Sequence, residues 1–202
     1  MFAFIEAAGW PVWPLVLASI IALAIIVERA WSLRRSIVAP KWLLSQVIQE
    51  YRQNGASPAL LARLAAGPPL AQVFAAALRN VKSSPQAMKD AIDETGHAVA
   101  HELERFLTTL GTIATIGPLL GLLGTVIGMI EIFGSQTPSG SNPIVLAHGI
   151  SIALYNTAMG LIVAIPSMIF HRHYRNQVDS LIVEMESQAV KLVEILHGER
   201  QS

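Results

Sequence analysis

The chain has 202 residues with 14 basic and 14 acidic side chains, a formal net charge of zero. Only 14% of it is charged and 52% is apolar, which fits neither a basic nucleic-acid footprint nor a charge-rich disordered chain. The absence of cysteine excludes disulfide scaffolds, thiolate zinc sites and cysteine nucleophiles.

The placement of the charges says more than their sum. Every Lys and Arg lies between Arg29 and Arg105 or between Arg172 and Arg200. Three stretches contain no Asp, Glu, Lys or Arg: 7–27, 106–130 and 132–171. A bilayer crossing needs about 20 apolar residues. The fold class expected is therefore all-α, an integral membrane protein with three transmembrane helices, some of them running on into the cytoplasm.

In chain order, residues 1–9 form an outer N-terminus and 10–28 the first span. Trp10, Trp13 and Trp31 suit the two interfaces of that span. Pro11 and Pro14 fall in its first turn, where a missing N–H is tolerated. The basic residues follow the apolar run instead of preceding it, so the segment reads as an uncleaved anchor and not a signal peptide. Residues 29–105 form a cytoplasmic helical region, with turn signals at Pro40, Asn54-Gly55, Pro58, Gly67-Pro68-Pro69 and Ser83-Ser84-Pro85. Ile92, Val99, Leu103, Phe106 and Leu110 trace one helix face. This pattern predicts one helix entering the membrane from 90 onward, uninterrupted until Gly117-Pro118.

The second span is 106–133, the short outer loop 134–146, the third span 147–170 and the cytoplasmic helical tail 171–202. Val178, Leu181, Ile182, Met185, Ala189, Leu192 and Leu196 give the tail an apolar face, and it reads as a continuation of the third span. The positive-inside rule puts both basic blocks in the cytoplasm. Three spans demand the same alternation.

Span two contains GPLLGLLGTVIGM, with Gly117, Gly121, Gly124 and Gly128 on one face. Small residues let helices approach closely in lipid, so packing is the plain reading. Thr125 can bond its own backbone or line a wet path. Span three contains GISIALYNTAMGLIVAIP. Its Ser151, Tyr155, Asn156 and Thr157 form an unusual polar cluster, with Gly160 one turn on. Asn156 must face protein or water, as an interhelical clamp or as part of a path. Counting residues from the outer ends puts Thr125 and Thr157 both roughly 12–15 Å deep, near the midplane.

No span holds a titratable carboxylate at its centre. Glu28, beside Arg29, and Glu131 sit at span ends. A hydroxyl relays a hydrogen bond but does not titrate at neutral pH, so a proton path here requires a carboxylate from a partner. His97 and His101 stand i, i+4, a spacing that can hold zinc, but lack the Glu of a metalloprotease motif. They read as a solvated or inter-subunit face. No metal and no cofactor is expected, and the chain does not read as an enzyme.

Pro118–Met129 and Gly149–Pro166, together with Glu28-Arg29, resemble the ExbB/TolQ/MotA proton channel family, and the three-span layout resembles its ExbB/TolQ branch. The likeness covers the spans and is weak over 40–85. It implies a homo-oligomer, a pentamer, in the bacterial inner membrane with a periplasmic N-terminus and a cytoplasmic C-terminus. It implies a dimer of a single-span ExbD/TolR-like partner whose membrane Asp exchanges protons with threonines at the positions of Thr125 and Thr157. It further implies work done on a TonB- or TolA-like envelope protein. In this likeness Thr125 and Thr157 line the ion pathway; Asn156 stands where the family usually has a small residue and joins the pathway as a group that can hold water. Pro118, Gly121, Gly124, Gly128 and Gly160 pack helices, and Glu28 and Arg29 form a cytoplasmic-end charge pair. One position departs: Ile152 stands where ExbB and TolQ carry a Glu, five residues before the threonine. The competing expectation is a structural membrane scaffold that only packs partner helices.

Overall fold

A computed structural model of the protein describes residues 10–134 and 143–196. The 1–9 terminus, most of the 134–146 loop and the last residues of the tail lie outside that range. Among the described residues all regular structure is helical. The helices are α1 (Val12–Ser32), α2 (Arg35–Val38), α3 (Trp42–Asn54), α4 (Pro58–Ala65), α5 (Pro69–Arg79), α6 (Pro85–Glu104), α7 (Leu107–Gly134) and α8 (Pro143–Leu196). Three helical stretches are long and apolar enough to cross a membrane: α1, Pro85–Gly134, which contains α7, and Gly149–Leu196 within α8. The chain is thus an all-α, multi-pass membrane protein.

The residues divide into two compact units, and α1 and α8 contribute to both. The first unit takes residues up to Glu28 and from Phe106 to His173. Its apolar surface is largely outward: no more than 33% of any spanning window is buried. Along α1, Val12, Leu15, Ala22 and Ile25 are buried while Trp13, Leu17, Ile20, Leu23 and Val27 are exposed. A soluble core would not leave such a ring of large side chains uncovered; hydrocarbon covers it.

The second unit takes 29–105 and the chain from Tyr174. At its centre lies α5, in which Leu70, Ala71, Val73, Phe74, Ala75, Ala77 and Leu78 are all buried. The turn signals of the sequence are the helix boundaries here. Gly55, at φ +64°, closes α3 with its N–H on the Tyr51 carbonyl. Pro58, Pro69 and Pro85 open α4, α5 and α6, where a helix has no use for the missing N–H. Ser57 and Ser84 cap α4 and α6 by accepting from the Leu60 and Ala87 N–H groups, at 3.3 and 3.2 Å. The tail's Val178, Leu181, Met185, Ala189 and Leu192 are buried, as their period predicts.

Two expectations about helix continuity meet different outcomes. Span three and the tail form one 54-residue helix, α8. The helix expected to enter span two from residue 90 is instead broken at Arg105-Phe106. Phe106 adopts φ +68°, a conformation that an L residue with a large side chain rarely takes. Gly117-Pro118 lies inside α7, as the expected span 106–133 requires. A proline within a membrane helix is tolerated when neighbours accommodate the freed carbonyl.

Candidate functional site

The polar residues of the spans belong to the first unit, and glycines position them. Along α7, Gly117, Gly121, Gly124 and Gly128 face α8. A Cβ on Gly117 would lie 3.2 Å from the Ala164 Cβ and from the Gly160 carbonyl oxygen. On Gly121 it would lie 2.8 Å from the Asn156 carbonyl oxygen and 3.0 Å from the Thr157 Cα. On Gly124 it would meet the Asn156 side chain at 2.8 Å. Gly160 is as tight, 2.6 Å from the Gly117 carbonyl oxygen. Gly128 is looser, with Ala153 at 3.6 Å. Two backbones therefore touch along the midsection of both spans, which only small residues allow.

This close approach sets the polar groups. Asn156 is 2% exposed and fills the space that Gly124 leaves open. Next to it, Thr157 is half-buried, and its hydroxyl donates to the Gly121 carbonyl oxygen at 3.5 Å. Gly121 lies one turn before Thr125 on α7. In a regular helix its carbonyl also accepts the N–H of residue 125. The two threonines thus flank one carbonyl, from separate helices. The Thr125 hydroxyl donates to the Leu122 carbonyl at 2.6 Å, so its own backbone holds it in this state. Thr125 also borders a shallow groove of about 620 Å³ with Val126, Met129, Ile130 and Phe133. Pro118 and Ile152 are half-buried on α7 and α8.

Glu28 and Arg29, after span one, differ in burial. Glu28 is exposed, and Arg29 is 7% exposed and belongs to the second unit. The Arg29 guanidinium donates to the Leu103 carbonyl at 3.1 Å, one of the last carbonyls of α6. Those groups lack a helical partner, and a cation there also opposes the negative end of the helix dipole. Arg29 is thus a cap of α6.

The remaining candidates fall elsewhere. His97 Nδ1 lies 2.8 Å from the Asp93 carbonyl oxygen on the exposed side of α6. Ser151 is exposed and bonds the Ala147 carbonyl at 2.9 Å, and Tyr155 is exposed. The four-residue polar cluster of span three thus splits, with Asn156 and Thr157 facing α7 and the other two facing outward. One inward group, Ser167, has no counterpart among the sequence candidates, and another, His171, reads from the sequence as an interfacial residue flanking span three. Ser167 is 1% exposed, with its hydroxyl on the Val163 carbonyl at 2.7 Å. His171 lays its ring against Gly111, where a Cβ would come within 2.9 Å of Nε2. Their signal was spacing: Gly160, Ala164, Ser167 and His171 continue the inward face of α8 at intervals of four, three and four residues.

The sequence pattern of the MotA/TolQ/ExbB proton channel family matches residues 66–187. The chain is 35% identical over 175 residues to the ExbB-like 3 biopolymer transport protein of Synechocystis sp., covering 84% of this chain and 82% of that one. It is 32% identical over 170 residues to the biopolymer transport protein exbB1 of Vibrio cholerae, covering 81% and 74%. To the Tol-Pal system protein TolQ of Pseudomonas aeruginosa it is 35% identical over 104 residues, covering 50% and 45%. The matched stretch takes in the glycine-packed helix pair and more than half of the chain, and the likeness is to ExbB and TolQ proteins: this chain belongs to the MotA/TolQ/ExbB proton channel family.

Proposed function

We propose that this chain is the stator subunit of an inner-membrane motor, and that Thr125, Asn156 and Thr157 form part of the wall of its proton path. The observation that carries the reading is the Thr157 hydroxyl reaching the Gly121 carbonyl, one turn from Thr125. It supports two hydroxyl-bearing residues from different spans lying at one level of the helix pair. Hydroxyls relay protons but do not hold them. The titrating group then belongs to a partner, an ExbD/TolR-like single-span protein with a membrane Asp. In this arrangement the chain forms a homo-oligomer, a pentamer, around a dimer of that partner. The N-terminus and the 134–146 loop are periplasmic, and the 29–105 region and the tail are cytoplasmic. The work is done on a TonB- or TolA-like envelope protein.

Ile152 excludes a route through a span-three Glu at this position. The glycines and Pro118 serve the same path by holding the two spans in register.

The test is Thr157→Val, which keeps shape and removes the hydroxyl. In vesicles holding the chain with its partner, proton flux should fall about tenfold or more. That loss corresponds to about 1.4 kcal/mol in the barrier, the size of one hydrogen bond to a charged group. Unchanged flux, with flux present in the parent, would remove Thr157 from the path. Absence of flux in the parent complex would favour the scaffold reading, in which the glycine contacts are the whole purpose of the helix pair.

A further inference from the structure

The segment that follows the first span carries an exposed surface with no part in the proton path. Trp31 and Trp42 are 64% and 61% exposed, and Ile37 is 41% exposed. Arg34, Arg35 and Lys41 are exposed between them. Leu33, Val38 and Ala39 are buried, so the segment is held in place and the outward side chains are presented by choice of sequence. The Arg34 guanidinium lies 4.4 Å from the centre of the Trp31 ring, joining a cation to an aromatic surface. No acidic residue occurs between Glu28 and Glu50. Glu184 lies 3.5 Å from Arg35 and offsets that charge, and Glu50 pairs with Arg63, so Arg34 and Lys41 carry the net positive charge of the surface.

We propose that the Trp31–Trp42 segment is a docking surface for acidic phospholipid headgroups of the bilayer that α1 crosses. Three observations choose this occupant. First, the surface continues a membrane interface along the chain. The apolar run of α1 ends at Val27, and Trp31 follows one helical turn later, about 6 Å along the axis. The headgroup layer is about 5–7 Å deep on each side, so Trp31 falls within it. Second, the side chains match the two components of that layer. Indoles settle at the boundary between apolar and wet regions, and exposed cations attract the phosphate groups of the headgroups by charge. Third, a clustered set of cations beside a span attracts anionic lipid, whereas a second copy of the same surface would set like charges against each other. The proposal depends only on the membrane crossing and not on the proton path.

The experiment uses the full chain with Trp10→Phe and Trp13→Phe, which leaves Trp31 and Trp42 as the fluorophores. It is reconstituted in phosphatidylcholine vesicles containing brominated phosphatidylglycerol or brominated phosphatidylcholine, whose bromines quench nearby indoles. Phosphatidylglycerol should quench at lower mole fraction, a preference that Arg34→Gln and Lys41→Gln reduce by about fivefold per cation removed. Arg34→Lys should keep the preference, which separates charge loss from misfolding. Equal quenching by the two lipids would overturn the proposal, as would a preference unchanged in the double Gln variant. Quenching by neither lipid would assign the surface to protein, such as a second copy, and would also overturn it.

Discussion

At the scale of single residues, glycines inside two different helices do different work. Gly121 has backbone atoms of α8 where a Cβ would go, at 2.8–3.0 Å. Backbone cannot swing aside, so Gly121→Ala should destabilise the protein by about 1–3 kcal/mol, as overpacking does. Gly96, inside α6, has nothing within 4 Å of such a Cβ. Gly96→Ala should therefore stabilise by about 0.5–1 kcal/mol through helix propensity alone. Thermal unfolding of the two variants in detergent checks both signs. Tyr174 provides a pH test outside the membrane. Burial pushes its phenol above the ordinary value of 10.0. Below that value both states keep the proton and the contribution is intact. Above it the unfolded chain ionises first, so stability falls as pH rises. Tyr174→Phe should flatten that fall in melting temperature as the pH is raised above 10.0.

At the scale of helices, the two units follow different rules. In the 29–105 region, short helices are bounded by chemistry that can be read directly: a Ser cap, a Pro at the first turn, a Gly past the end. Ser84→Ala removes the cap of α6 and should cost about 1 kcal/mol. Phe74→Ala, at a fully buried side chain of α5, should cost about 3–5 kcal/mol; a denaturation series on both variants would rank them. The break at Arg105-Phe106 was not legible in this way. Its flanks carry an unbroken helical period, and no Gly or Pro marks it. A positive φ at a phenylalanine is adopted only when surrounding structure over-determines it. The Arg29 guanidinium on the Leu103 carbonyl is one such contact, and it joins residues 74 positions apart.

At the scale of the whole molecule, the distribution of charge supports one topology. A chain without cysteine makes that topology easy to test. Ser139→Cys lies in the 134–146 loop and Ser36→Cys lies after the first span. In intact cells stripped of their outer membrane, a membrane-impermeant maleimide should label the first and spare the second. The reverse pattern would invert the proposed orientation. Energetics fit a motor of small steps. A charge crossing the membrane releases about 2.3 kcal/mol per 100 mV. At about 200 mV one proton supplies less than about 5 kcal/mol, enough to shift a two-state equilibrium but not to remake a fold.

Residue order alone determined the three apolar stretches, the buried face of the tail and the boundaries of the short helices. These are set by local periods and by the backbone limits of Pro and Gly, which need no distant partner. It also singled out Thr125, Asn156 and Thr157 as polar groups that hydrocarbon would penalise. Only the tertiary structure decided what each of them meets. The glycine stripe turned out to hold Asn156 and Thr157 against α7. Ser151 and Tyr155, as polar in sequence, turned outward. Arg29 became a helix cap. These outcomes depend on which faces of two helices meet and how closely, and a one-dimensional pattern does not contain that separation. The same limit explains why zero net charge, uninformative as a sum, became informative once its positions were read along the chain.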